Sequence, residues 1–221
     1  MKKIPKLFKI YEKLYGRFGP RHWWPAETPF EVMVGAVLTQ NTSWANVEKA
    51  ICNLKGRGLL GPERLNSIPL SRLAEFIRPS GYYNIKAKRL KSLVSFLMRD
   101  FKGDIALMRR LEMEALRKEL LRVHGIGPET CDSIMLYALN KPVFVIDAYT
   151  KRIFSRCGLA KEDVTYDGLQ RLFTEALPRS VKLYNEYHAL IVQLGKEVCR
   201  KRPKCNLCPI NKLCYNAKAE G

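Results

Sequence analysis

Apolar residues recur at helical spacing through almost the whole chain, and Gly, Pro and short polar clusters cut that pattern into segments. Leu7, Ile10, Tyr11 and Leu14 form one stripe and predict a basic amphipathic helix over 1–19, closed by Gly16, Gly19 and Pro20. Thr28-Pro29-Phe30-Glu31 reads as a capping box with proline in the first helical position. It opens an apolar helix through Met33, Val34, Val37 and Leu38. The polar run Gln40-Asn41-Thr42 interrupts this helix before another over about 43–54, leaving Gln40 at a tight junction from which it can project or cap. Further helices are expected over about 71–77, 85–101 and 111–123, divided by Pro79-Ser80-Gly81-Tyr82-Tyr83-Asn84 and by Gly103-Asp104. From 141 to 146 the chain is apolar and extended. Asp147 then stands at the N-cap of a helix over 148–157 that Gly158 closes, and two more helices cover about 166–177 and 181–196. Strand signals are nearly absent and no internal repeat is visible. The pattern predicts an all-α fold.

Two breaks in the pattern carry more than punctuation. Leu120, Leu121 and Val123 end one helix, Gly125 and Gly127 follow, and Pro128 opens a partner helix that ends near residue 140. Glycine permits positive φ and a close backbone approach. A helix N-terminus offers free N–H groups to an anion. The same turn also suits a plain helix–turn–helix connection. The second break, Trp23-Trp24-Pro25, puts adjacent indoles in a segment that cannot be regular helix, because proline disfavours helical geometry at the residue before it. Paired tryptophans there could plug a seam between helical layers or line a pocket.

Charge gives the hairpin its anion. Lys and Arg total 39 against 21 Asp and Glu, a formal net charge of +18 on 221 residues, which predicts a polyanionic partner and makes nucleic-acid phosphate the natural occupant. No run approaches the roughly 20 apolar residues of a membrane span, and Met1-Lys2-Lys3-Ile4-Pro5-Lys6 leads into no signal-peptide core. A soluble cytoplasmic protein without a membrane partner is expected, and a monomer is the default. In that compartment seven cysteines are better read as metal ligands or buried thiols than as disulfides. Cys52, Cys131 and Cys157 fall on apolar helix faces and are expected in the core. Cys199, Cys205, Cys208 and Cys214 form C-x5-C-x2-C-x5-C. Structural zinc normally takes two separated cysteine pairs, so one C-x2-C flanked by single cysteines favours a four-iron cluster. Such a cluster would fix a loop presenting Lys201, Arg202 and Lys204 to phosphate.

Together, Leu121 to Thr130, Val145-Ile146-Asp147, Leu38-Thr39-Gln40-Asn41-Thr42, Gly81-Tyr82-Tyr83-Asn84-Ile85-Lys86-Ala87 and the cysteine loop resemble the helix–hairpin–helix DNA glycosylases of endonuclease III type. The resemblance runs from about Pro29 to Cys214. It implies a six-helix barrel over 27–137 and a discontinuous second domain, 1–26 with 138–221, with a DNA-binding cleft between them. It implies double-stranded DNA carrying a damaged or mispaired base as partner and a [4Fe-4S] cluster on the four cysteines. A monovalent cation, K+ or Na+, is implied at the hairpin carbonyls. Asp147 would be catalytic: breaking an N-glycosidic bond builds positive charge on the sugar, which a carboxylate stabilises while it orients or deprotonates water. Gln40 would fill the space of the extruded base and Tyr82 would wedge from the other side. Gly125, Gly127 and Lys86 complete the expected DNA-binding set.

Two departures bear on subtype. Members with lyase activity carry a lysine two residues after the second hairpin glycine; here that residue is Glu129, which cannot form an imine. The expectation is hydrolytic base removal without efficient β-elimination. Trp24, Pro25 and Trp44 resemble the base pocket of endonuclease-III-like 3-methyladenine DNA glycosylases, and Glu129 is placed with them. Electron-rich rings suit a cationic N-alkylated purine. A monofunctional glycosylase removing alkylated purines is therefore expected. The alternatives are a uracil or thymine mismatch glycosylase on the same scaffold and a DNA-binding module without catalysis.

Overall fold

The computed structural model describes residues 3–215, so residues 1 and 2 of the first expected helix lie outside the described residues. In chain order the helices are α1 (Lys3–Phe18), α2 (Pro29–Leu38), α3 (Trp44–Lys55), α4 (Pro62–Ser67), α5 (Leu70–Phe76), α6 (Tyr83–Phe101), α7 (Ile105–Arg110), α8 (Met113–Arg122), α9 (Pro128–Ser133), α10 (Ala148–Arg156), α11 (Tyr166–Thr174) and α12 (Val181–Glu197). Helix α9 runs on as a π-helical turn over Ile134–Ala138, and short 3-10 turns occupy Arg78–Ser80, Cys205–Leu207 and Asn211–Leu213. The fold is all-α, with no strand among the described residues. No helix among them is long and apolar enough to cross a membrane.

The chain divides into two compact units, Trp24–Lys141, and Met1–Trp23 together with Pro142–Gly221. In the unit Trp24–Lys141, α6 packs against α2, α4, α5 and α7, while α2 also meets α3, α9 and the π turn. Apart from Glu31, helix α2 is apolar on every side, and it is buried from Phe30 to Leu38. Thr28 caps it, its Oγ1 accepting from Glu31 N at 3.1 Å. The buried Glu31 carboxylate accepts from Glu27 N and pairs with Lys55 at 2.9 Å, so its charge is compensated.

The other unit is built on α12, which packs against α1 and α10. Phe144 stacks on Phe173 with ring centroids 4.0 Å apart, and both meet Tyr187 edge-on. Tyr187 is fully buried, and its hydroxyl donates to Leu7 O at 2.8 Å, so this ring carries no unpaired polar end. Val143–Ile146 lies buried and extended, delivering Asp147 to the start of α10.

Candidate functional site

The hairpin is α8, a turn over 123–127, and α9. Gly125 takes φ +85°, a conformation in which an L side chain is strained, and a Cβ there would collide with the side chain of Arg89. Ile126 N donates to Val123 O at 3.0 Å to close the turn, and Gly127 is the N-cap residue of α9. A helix start of this kind is where first-turn N–H groups can meet an anion. Arg117 and Asp132 lock the two helices together: both carboxylate oxygens of the fully buried Asp132 accept from the guanidinium, at 2.8 and 3.2 Å. Glu129 is exposed in the first turn of α9.

Gln40 follows α2 directly, and its side chain turns to the hairpin. Nε2 donates to Gly125 O at 3.0 Å and to Thr130 Oγ1 at 2.9 Å, while Arg89 Nη1 donates to Oε1. Tyr82 does project: it is 69% exposed, lifted from the surface by positive φ at both Gly81 and Tyr82. Non-glycine residues at positive φ are uncommon, and at an exposed aromatic this one is a candidate functional strain. Lys86 departs from the role its sequence suggests. It is buried at 1% exposure and donates to Leu38 O at 2.8 Å and Ser80 O at 2.6 Å, so it cannot reach a phosphate. It ties the end of α2 to the turn before Tyr82, with its pKa lowered to about 8 by burial and then by the charge of Arg89.

Aromatic rings gather in the same unit. Trp24 meets Trp44 edge-to-face at 5.2 Å and Tyr137 at 5.3 Å. Trp44 Nε1 donates to Glu48 Oε1 at 2.6 Å. Trp24 lies against α2 at Gly35, where a Cβ would stand 3.2 Å from its Cζ2. Pro25 is exposed beside it. Trp23 falls in the other unit, where Lys196 Nζ sits 5.8 Å from its ring centroid.

In that other unit Asp147 caps α10. Its Oδ1 accepts from Thr150 N at 2.7 Å and Thr150 Oγ1 at 2.8 Å, which fixes the carboxylate plane. Oδ2 lies 3.7 Å from Nε2 of the buried His188. Burial lowers the His188 pKa, opposed in part by Asp147, so the imidazole sits neutral behind the acid near pH 7.

Cys199, Cys205, Cys208 and Cys214 line one cavity, whose remaining wall includes the apolar Ile153, Leu194, Val198 and Ile210. Arg156 Nη1 reaches Cys199 Sγ at 3.4 Å. Among the described residues no three metal-ligating side chains are gathered closely enough to hold a single ion. Four thiols lining one apolar cavity are a donor set that fits a [4Fe-4S] cluster. Lys201, Arg202 and Lys204 lie on this loop, Lys201 and Arg202 exposed and Lys204 at its edge beside the cavity. Burial pushes the Cys208 thiol up to about 11. Cys131 and Cys157 are buried as expected, Cys157 against this cavity, but Cys52 is exposed on α3 and belongs to no core.

Residues 34–179 match the family model of the HhH-GPD superfamily base excision DNA repair proteins. The chain belongs to this superfamily. A Methanocaldococcus jannaschii protein named "Putative DNA repair glycosylase MJ1434" is 48% identical over 216 residues, 97% of this chain and 98% of that one. The crystal structure of H. pylori 3-methyladenine DNA glycosylase bound to 1,N6-ethenoadenine superposes with a TM-score of 0.77 at 32% identity, covering 89% of this chain and 98% of the other. An endonuclease III trapped as a covalent intermediate with DNA shares the fold, with a TM-score of 0.85 at 22% identity over 100% and 99% of the two chains.

As an endonuclease III-like member of the superfamily, the chain is a DNA glycosylase of base excision repair. Several residues beside the expected ones, in each of the two units, were not singled out from the sequence. Tyr137 is one tyrosine in an apolar run, and only the π turn brings it to Trp24. Thr150 was legible in principle, since an Asp three residues before a Thr at a helix start is a capping pattern. Arg89 and His188 are set by tertiary packing alone.

Proposed function

We propose that this glycosylase is monofunctional and removes N-alkylated purines, 3-methyladenine above all. The observation that carries the reading is the ring cluster of Trp24, Trp44 and Tyr137. Electron-rich rings stabilise a cationic base by up to roughly 2 kcal/mol once desolvated. Alkylation at nitrogen already makes the base a good leaving group, so stacking replaces a lattice of hydrogen bonds to a neutral base. The likeness to the H. pylori enzyme supports this substrate class. Glu129 supports hydrolysis over lyase chemistry, because a carboxylate forms no imine.

In this reading the hairpin N–H groups hold phosphate. The damaged base leaves the stack at a cost of a few kcal/mol, least for a lesion that already weakens pairing. Gln40 and Tyr82 support the distorted duplex. The carboxylate of Asp147, held in plane by Thr150, stabilises positive charge developing at C1′ and orients the attacking water. Cys199, Cys205, Cys208 and Cys214 are the residues that would hold a [4Fe-4S] cluster, whose part here is to brace the basic loop.

Base release from duplexes each carrying one lesion tests the reading. Release of 3-methyladenine should exceed release of uracil or thymine opposite guanine, and Trp44→Ala should erase that preference. Faster release of either pyrimidine would give the site to mismatch repair instead. Borohydride should trap no covalent adduct during turnover; trapping at the level of a lyase would overturn the hydrolytic assignment.

A further inference from the structure

Helix α6 presents Arg89 one turn after Lys86, beside the residue that the proposed function uses to fill the gap in the duplex. The chemistry of the partners fixes the Gln40 amide without ambiguity. A guanidinium has only donors, and a peptide carbonyl only accepts. Oε1 therefore faces Arg89, and Nε2 faces the hairpin, donating to Gly125 O and Thr130 Oγ1. The aliphatic stem of Arg89 lies over Gly125 so tightly that no Cβ fits, and Arg89 Nε is buried with no hydrogen-bond partner. Burying an N–H without an acceptor is unfavourable, and an apolar side chain of similar length would cover Gly125 without that cost. What only the guanidinium supplies is the bond to Gln40.

We infer that Arg89 is a positioning residue acting through Gln40. It locks the glutamine amide onto the hairpin turn, so that the phosphate grip and the gap-filling side chain form one rigid piece before DNA arrives. Preorganisation of this kind removes an ordering cost from binding to distorted DNA and leaves binding to intact duplex nearly unaltered. The inference rests on the proposed role of Gln40.

A double-mutant cycle on the full chain tests it, with affinity measured for a duplex carrying a tetrahydrofuran abasic-site analogue and for the same duplex intact. Arg89→Met and Gln40→Ala should each weaken binding to the abasic analogue about tenfold, and the double variant should be no weaker than Gln40→Ala alone. Arg89→Lys, which keeps a donor without the planar fork, should recover part of the loss in the Gln40 background and none in the Gln40→Ala background. Intact-duplex affinity should change less than about twofold throughout. Multiplying losses, or an equal loss on intact duplex, would mean that Arg89 contacts DNA itself and would overturn the inference while leaving the proposed function standing. No wild-type preference for the abasic analogue would overturn both. Thermal unfolding of each variant reports folding; if Arg89→Met does not fold, the Arg89→Lys arm of the cycle decides.

Discussion

Asp147 has an observed part and a proposed part in one carboxylate. Oδ1 caps α10 through Thr150, and in the proposed function the negative charge stabilises the sugar as the base departs. Asparagine caps a helix about as well as aspartate, so Asp147→Asn separates the two roles. Excision by Asp147→Asn should fall by about 10²- to 10³-fold, while its melting temperature stays within a few degrees of wild type. Thr150→Val keeps the backbone N–H and loses the hydroxyl, freeing the carboxylate to rotate; excision should drop about tenfold in single-turnover assays. Lys86 gives a different signature. Its pKa is about 8 in the folded chain against the ordinary 10.5. Below pH 8 both states hold the proton and the fold bears the buried charge. Between the two values only the unfolded chain stays protonated, so this lysine's contribution to stability rises with pH across that window. Denaturant titrations should show the stability of wild type rising with pH relative to that of Lys86→Met.

At the scale of elements, the hairpin is braced from inside by Arg117 on α8 and Asp132 on α9. Removing one partner of a buried pair leaves the other charge stranded, so Asp132→Ala should cost about 3–5 kcal/mol in denaturant unfolding. Most of the helices were legible because each carries a capping signal or a full apolar stripe. Helices α4 and α7, six residues each, were not, since six residues span less than two turns and give no repeat to read. Lys86 misled for a related reason. Its neighbours Lys88, Arg89 and Lys91 make the segment look uniformly solvated, and only the carbonyls of Leu38 and Ser80, which arrive from elsewhere in the chain, show why one lysine turns inward. Cys52 misled in the opposite sense, an apolar residue type that the packing of α3 leaves outside.

Across the whole molecule, a net charge of +18 draws the protein to DNA of any sequence. Phosphate contacts release counterions, so affinity for undamaged duplex should fall steeply with salt, by about 10³- to 10⁵-fold between 50 and 200 mM if 6–10 phosphates are engaged. The ratio of affinities for abasic-analogue and intact duplex should hardly change, because in the proposed function it draws on Gln40 and Tyr82 instead of lysines. Fluorescence anisotropy across a salt series measures both. The charge, the hairpin and the aspartate motif made the superfamily legible from sequence. The ring cluster was legible in two of its members, Trp24 and Trp44, and not in the third.

That third member, Tyr137, owes its place to the π turn at Ile134–Ala138. Such a turn is an α-helix holding one residue too many. Deleting a single residue there would let the helix run regularly, turn the tyrosine relative to Trp24, and leave the hairpin before it untouched. If the rings hold the base as proposed, a one-codon deletion within a helix would alter the face offered to it, with no exchange of side chains at all.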